Sequence, residues 1–291
     1  MIAVGINAIL AISLNLVTGY TGQLSLGHAA FMSIGAYTAG ILVVHYEVPF
    51  LAALLAGAIA AGFSGLLIGT PTLRLRGDYL AIATLGFGEI IRVVFLDMEI
   101  TGGTMGLRGI PKQSQLLITL TVFIALAVTA FVLYRIMRSR IGRSFIAIRE
   151  DEVAAEAMGI NTTRYKIMAF TVSALFAGLA GGLYAGFYRY ISPNSFGFLK
   201  SIEILSMVVL GGMGNFLGAG IGAAVLTVAP EMLRSFAVYR QVFYGALLVV
   251  MMLVRPAGLL GGVKLSAELF KKKTADRTAE SGGETRAFTR D

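Results

Sequence analysis

An all-α membrane bundle of about nine spanning helices (eight to ten) is the fold class the sequence predicts, with glycine-rich segments that break or re-enter the bilayer. Three observations lead there. Of the 291 residues, 56% are hydrophobic and 14% charged, and mean hydropathy is +0.79; a soluble domain is nearer about 45–50% apolar and about 25% charged. Apolar runs reach the roughly 20 residues a helix needs to cross hydrocarbon, whereas barrel strands would show short alternating segments. Prolines 49, 71, 111, 193, 230 and 256 fall near the ends of those runs, where a missing N–H does least harm.

Spans are predicted at 2–18, 27–45, 49–70, 79–96, 115–134, 167–188, 198–213, 216–232 and 236–254. The first two are joined by GYTGQLSLGHAAF (19–31), which sets Gln23, Ser25 and His28 among Gly19, Gly22 and Gly27. Irregular backbone at membrane depth is tolerated only inside protein or beside a watery cavity. The run is therefore either a glycine-broken opening on a translocation path or a capped turn, with His28 bonded to a neighbouring helix. The fourth span carries Glu89 and Arg92, three apart and on one face. They form either an intramembrane functional pair or a structural ion pair near a helix end, Arg92 snorkelling outward. Glu203 is expected at an interface. The seventh and eighth spans meet at GGMGN (211–215), where Gly211, Gly212 and Gly214 permit a tight reversal and a hinge. The openings 19–36 and 211–222 suggest a distant internal repeat. AGAIAAGFSG and FAGLAGGLYAG read as close helix packing in lipid.

Basic residues cluster in three places. Seven lie in 135–166 (Arg135, Arg138, Arg140, Arg143, Arg149, Arg164, Lys166), eight from 255 onward, and Arg74 and Arg76 between the third and fourth spans. All three segments are expected in the cytoplasm, with the first residue outside. No basic region precedes the first apolar run, so no cleavable signal is expected. Residues 1–260 form the predicted membrane domain, and 261–291 a disordered, basic and polar cytoplasmic tail able to touch anionic lipid. There is no cysteine, which excludes disulfides and thiolate sites. Two histidines, His28 and His45, make a metal cluster improbable. No phosphate loop of the form G-x-x-x-x-G-K-[ST] and no G-x-S-x-G elbow occur. The chain is thus not expected to be an enzyme, to hold a cofactor or to bind nucleic acid, and any ATP must be used by another polypeptide.

Residues 141–170 read IGRSFIAIREDEVAAEAMGINTTRYKIMAF. Glu150, Asp151 and Glu152 suit the positive end of a helix, Gly159 its C-cap, and Asn161 or Thr162 the next N-cap. A short helix over 150–158 is predicted. This segment resembles the coupling loop of ABC-importer permeases, whose pattern is E-A-A, three residues, then Gly. Here Val153, Ala154 and Ala155 precede Gly159 by that spacing, the acid stands one place early at Glu152, and no Leu-Pro follows. That departure is similar to the branched-chain amino acid branch. LNLVTGYTGQLSLGHAAFMSIGAY (14–37), ATLGFGEIIR (83–92), TGGTMGLRGIP (101–111) and ILSMVVLGGMGNFLGAGIGA (204–223) resemble the same LivM-type permeases, in the same order.

The resemblance implies a permease subunit in a prokaryotic inner membrane, moving Leu, Ile, Val or a related small polar solute by alternating access. It implies four kinds of partner: a second, LivH-like permease, two ABC ATPase subunits, an extracytoplasmic binding protein and lipid. It makes 150–158 a cytoplasmic coupling helix, with Glu152, Ala154, Ala155, Glu156 and Gly159 docking on an ATPase. It points to Gln23, Ser25 and His28 as translocation path. The 101–111 loop either meets the binding protein or is a plain connector. Two alternatives stay open: a urea or short-amide importer of the same family, and an ion-coupled secondary transporter, for which Glu89 is the candidate ion site.

Overall fold

The computed structural model describes residues 1–72, 75, 77–232, 245 and 259. The expected ninth span (236–254, save residue 245), the tail 261–291, Arg74, Arg76 and the basic residues from 255 onward lie outside the described residues. Ten α-helices account for most of what is described: α1 (Ile2–Asn15), α2 (His28–His45), α3 (Phe50–Thr72), α4 (Asp78–Asp97), α5 (Gln115–Arg138), α6 (Arg140–Glu150), α7 (Glu152–Ala157), α8 (Thr162–Tyr188), α9 (Phe198–Gly211) and α10 (Phe216–Met232). No strand occurs among the described residues; Leu107 and Ile191 form one isolated antiparallel bridge.

Seven described helical segments are long and apolar enough to cross a membrane: Ile2–Tyr20, His28–His45, Phe50–Thr72, Asp78–Asp97, Gln115–Arg138, Thr162–Tyr188 and Pro193–Gly211. The predicted eighth span is an apolar helix too short to qualify, Phe216–Ala229, and pairs antiparallel with α1 through Asn7 Nδ2 to Thr227 Oγ1 (2.9 Å) and Asn15 Nδ2 to the Asn215 carbonyl (2.9 Å). Eight of the predicted spans thus have a helical counterpart, and seven have a full one.

Composition explains which helices are central. Over an 18-residue stretch, 89% of Ile2–Tyr20 is buried, against 22% of α4 and 28% of α5. On α3, Leu51, Leu55, Ile59, Phe63 and Leu67 recur every four residues and face outward, while Ala58, Ala61, Gly62 and Gly65 face α8 and Gly57 faces α2. Large apolar groups outside and small ones inside reverse the soluble pattern. In lipid, packing between close backbones replaces hydrophobic burial as the drive. α2, α3 and α8 form such a trio: a Cβ on Gly35 would fall 2.1 Å from the Gly178 carbonyl oxygen, and one on Gly57 2.6 Å from that of Gly35.

At one end of the bundle, two single 3₁₀ turns (Glu99–Thr101 and Gly103–Met105) lead into the 101–111 loop. The Leu107 and Ile191 amides each donate to the other's carbonyl (2.9 and 3.2 Å). Gly106, at φ 70, lets the backbones meet: a Cβ there would sit 2.4 Å from the Ile191 carbonyl oxygen. At the other end, α5 runs to Arg138 and two short helices follow rather than one. The expected helix 150–158 begins later, at Glu152, because Glu150 closes α6 and Asp151 caps α7. The Asp151 carboxylate accepts from the Val153 (2.9 Å) and Ala154 (3.0 Å) amides. Asn161 caps α8, its Oδ1 accepting from Arg164 N at 3.0 Å.

Candidate functional site

The break between α1 and α2 is the site the sequence singled out. After Asn15 the helix widens into a π-turn, Leu16–Tyr20, and ends. Thr21 Oγ1 donates to the Val17 carbonyl (2.5 Å) and the Gln23 amide to the same oxygen (3.0 Å). The Leu26 amide donates to Thr84 Oγ1 of α4 (3.0 Å). Backbone freed by the break is thereby satisfied by side chains and by the preceding turn, which non-helical chain in a bundle interior requires. α2 starts only at His28, so its N-terminal end lies level with Ser13, two residues before the end of α1.

His28 is buried and bound. Ser13 Oγ lies 3.0 Å from the Leu10 carbonyl oxygen, to which it can donate, and shares a hydrogen bond with His28 Nε2 at 2.9 Å. Ser173 Oγ of α8 donates to the Ser13 carbonyl (2.7 Å). This small network ties α1, α2 and α8. Ser25 is buried and accepts weakly from the Gly27 amide (3.4 Å). Gln23 is different. It is buried, yet neither its amide nitrogen nor its amide oxygen has a hydrogen-bond partner among the described residues. Buried polar groups are normally bonded, so Gln23, with the buried Thr18 Oγ1 beside it, has unused capacity in the break.

The α9–α10 turn abuts the break. Gly212 (φ 113) and Gly214 (φ 80) make the reversal, and the Gly214 amide donates to Asn15 Oδ1 (2.9 Å). A Cβ on Gly211 would meet the Gly218 carbonyl oxygen at 2.2 Å, so this glycine keeps the hairpin tight. Tyr20 stacks on Phe216 with centroids 4.6 Å apart. The two glycine-broken openings therefore touch. Beside them Arg149, at the end of α6, donates from Nη1 to the Gly19 carbonyl (2.9 Å).

α7 projects from the same end. Val153 (64% exposed) and Met158 (83%) point outward, with Ala154, Glu156, Ala157 and Gly159 also exposed. Ala155 is buried against the bundle. Glu152 pairs with Lys166 of α8, and Glu156 Oε1 accepts from Thr162 Oγ1 (2.6 Å). Gly159 has φ 82 and open space around its Cα. The helix is fastened to α8 on one side and bare on the other.

Glu89 and Arg92 lie toward the opposite end. Arg92 Nε donates to Glu89 Oε2 (2.8 Å) and Nη1 to Asn194 Oδ1 (3.1 Å). With Lys200 and Glu203, themselves paired at 3.1 Å, they line an open cavity of about 390 Å³. Glu203 is half-buried there, on the second turn of α9.

Residues 1–252 match the family described as branched-chain amino acid transport system / permease component. The chain belongs to that permease family. It is 41% identical over 285 residues to the high-affinity branched-chain amino acid transport system permease protein LivM of Salmonella typhimurium, covering 87% of this chain and 67% of the relative. It is 39% identical to LivM of Escherichia coli at the same coverage, and 29% identical over 290 residues to LivH of that organism, covering 91% of the relative. No solved structure matches. In this permease the sequence pattern pointed to the break with Gln23 and His28, to the glycine turn at 211–215 and to a short helix over 150–158, which forms over Glu152–Ala157. It missed Asn15, Thr84 and Arg149, which hold the break together. Their signal was weak: an isolated Asn or Thr in an apolar span, and one of seven basic residues in a loop. Helix α6 was also missed, although Phe145 and Ile148, three apart and buried, mark its inner face.

Proposed function

We propose that this permease is one of two membrane subunits of an ATP-driven importer for Leu, Ile and Val. It sits in a prokaryotic inner membrane beside a LivH-like permease, with two ATPase subunits on the cytoplasmic side and a binding protein outside. The family match across 1–252, with LivM and LivH relatives alike, carries the reading. Seven basic residues in 135–166 support a cytoplasmic location for α6 and α7, by the positive-inside bias. α7 is the coupling helix: Val153, Ala154, Ala157, Met158 and Gly159 present its bare side to the ATPase, while Ala155 and the Glu152–Lys166 pair anchor it.

The cycle is one of alternating access. ATP closes the ATPase pair, α7 moves with it, and the break at 16–28 together with the 211–215 turn rearranges in the bundle. Gln23 and Thr18 are the groups in the break with side-chain capacity left to hydrogen-bond a passing solute. Glu89 is engaged by Arg92, which speaks against a free carboxylate for an ion-coupled transporter. Reconstitution of the chain with its second permease, ATPases and binding protein tests the reading, with labelled leucine and labelled urea followed in parallel. ATP-dependent leucine uptake is expected. Uptake by the lone chain under an ion gradient, or uptake of urea but not leucine, refutes it.

A further inference from the structure

We infer that Arg149 is the strut that carries motion of α6 and α7 into the break of α1 and the α9–α10 turn. The inference rests on the transport reading above and makes Arg149 a positioning residue of the cycle. Arg149 lies one residue before the end of α6 and two before Asp151, the N-cap of α7. Its Nη1 donates to the Gly19 carbonyl at 2.9 Å, 130 residues away in the chain. That carbonyl belongs to the π-turn Leu16–Tyr20 that ends the first helical segment, where helix oxygens lack intrahelical donors and a cation is favoured. The other side of the guanidinium is held by Glu150, whose Oε1 accepts from Nε (3.2 Å) and Nη2 (2.8 Å). Gripped on both sides, the planar group has a defined orientation.

The surrounding glycines are fitted to it. A Cβ on Gly22 (φ 70) would lie 3.0 Å from Arg149 Cγ, and one on Gly214 (φ 80) 2.9 Å from Arg149 Nη1. A Cβ on Gly19 would strike Asn15 Oδ1 at 1.9 Å and Gly214 N at 2.4 Å, the pair that joins α1 to the turn. Three segments distant in sequence thus close around one guanidinium with no space for a side chain between them. If α6 moves, either Gly19 and Gly214 move too or a charge-assisted hydrogen bond breaks. The displacement has a short path to Gln23, whose backbone N–H donates to the Val17 carbonyl in the adjoining turn.

The chain has no cysteine, so introduced thiols are the sole labelling sites within it. Spin labels at Val153→Cys and Met213→Cys, both exposed positions, report the distance between α7 and the turn. In the parent chain a narrow distribution is expected; Arg149→Ala broadens it, and Gly214→Ala, which crowds the guanidinium, does the same. In the reconstituted importer, Arg149→Ala lowers leucine moved per ATP hydrolysed about tenfold, the scale of a lost hydrogen bond to a charged group, while the ATPases still bind. Arg149→Lys restores part of it, since an amine reaches the carbonyl without the bidentate hold on Glu150. A merely structural role would lower the yield of folded protein and leave uptake per ATP unchanged. An unaltered distance distribution overturns the tie, and a broadened one with unaltered uptake per ATP overturns its part in transport. If the parent importer moves no leucine, the transport reading fails by itself, and the distances, measured on the chain alone, still decide whether the strut exists.

Discussion

Replacing Gly181 by alanine tests the packing that holds the bundle together. Gly181 lies on α8 where it crosses α2, and a Cβ built there falls 1.9 Å from the Met32 carbonyl oxygen and 2.9 Å from the Ala36 nitrogen. Ordinary contact begins at 3.4 Å, so the oxygen would have to retreat by about 1.5 Å. The obstacle is helix backbone, which cannot swing aside as a side-chain tip can. α2 and α8 must therefore part along the crossing that also contains the Gly35–Gly178 contact and the Phe31–Phe170 edge-to-face pair at 5.3 Å. A gap of about 0.5–1 Å already forfeits a quarter to a half of each dispersion well. Overpacking of a tight core costs about 1–3 kcal/mol, and an obstructing backbone puts Gly181→Ala at the upper part of that range. Gly86 on α4 is the control: no atom lies within 4 Å of a Cβ there, and alanine in a helix interior gains up to about 1 kcal/mol over glycine. Thermal unfolding of the purified chain in detergent, followed by retained monodisperse protein, reads both. Gly181→Ala should unfold several degrees below the parent and Gly86→Ala at or above it. Equal stability of the two variants would refute the close α2–α8 approach.

Two further substitutions probe single interactions. His28→Leu removes one hydrogen bond to Ser13, which keeps its bond to Leu10; a loss of about 0.6–1.7 kcal/mol is expected for a polar contact inside a bundle, with leucine uptake per folded importer unchanged, and a selective loss of uptake would place His28 on the path instead. The Glu152–Lys166 pair is asymmetric, the Lys166 side chain being 6% exposed and that of Glu152 23%. Glu152→Ala, which strands the more buried charge, should therefore cost more than Lys166→Met, up to about 3 kcal/mol; chemical denaturation of the two variants side by side checks the order, and the reverse order would refute it.

Much of the helical layout was legible because apolar run length and proline position are one-dimensional quantities. The starts of α2, α3 and α4 lie within about one residue of their predicted positions, boundaries normally being good only to a few residues. The cap of α8 at Asn161 is legible too, but the apolar run alone starts at 167, because Arg164 and Lys166 in its first turns are charged. Lys166 is instead drawn into the bundle by Glu152, a pairing across 14 residues that composition does not reveal. The helix at 152–157 was readable from its capping residues, since caps are local. Its division from α6 at Asp151 was not, because α6 itself is marked in the sequence only by Phe145 and Ile148, whose burial against the bundle is a tertiary fact.

By itself the sequence determined that this chain is an apolar helical bundle of one permease family, where it breaks, and which end is basic. These follow from residue type and spacing along the chain. Only the tertiary structure decided which groups at the break are occupied and which are free. His28 is satisfied by Ser13, Thr84 takes up the Leu26 amide, and Gln23 is left with unused hydrogen-bonding capacity. Only the fold, too, brought Arg149, Gly19 and Gly214 together. A hydrogen bond needs its donor and acceptor within about 3 Å, and helices packed side by side set that distance between residues that the chain holds more than a hundred positions apart.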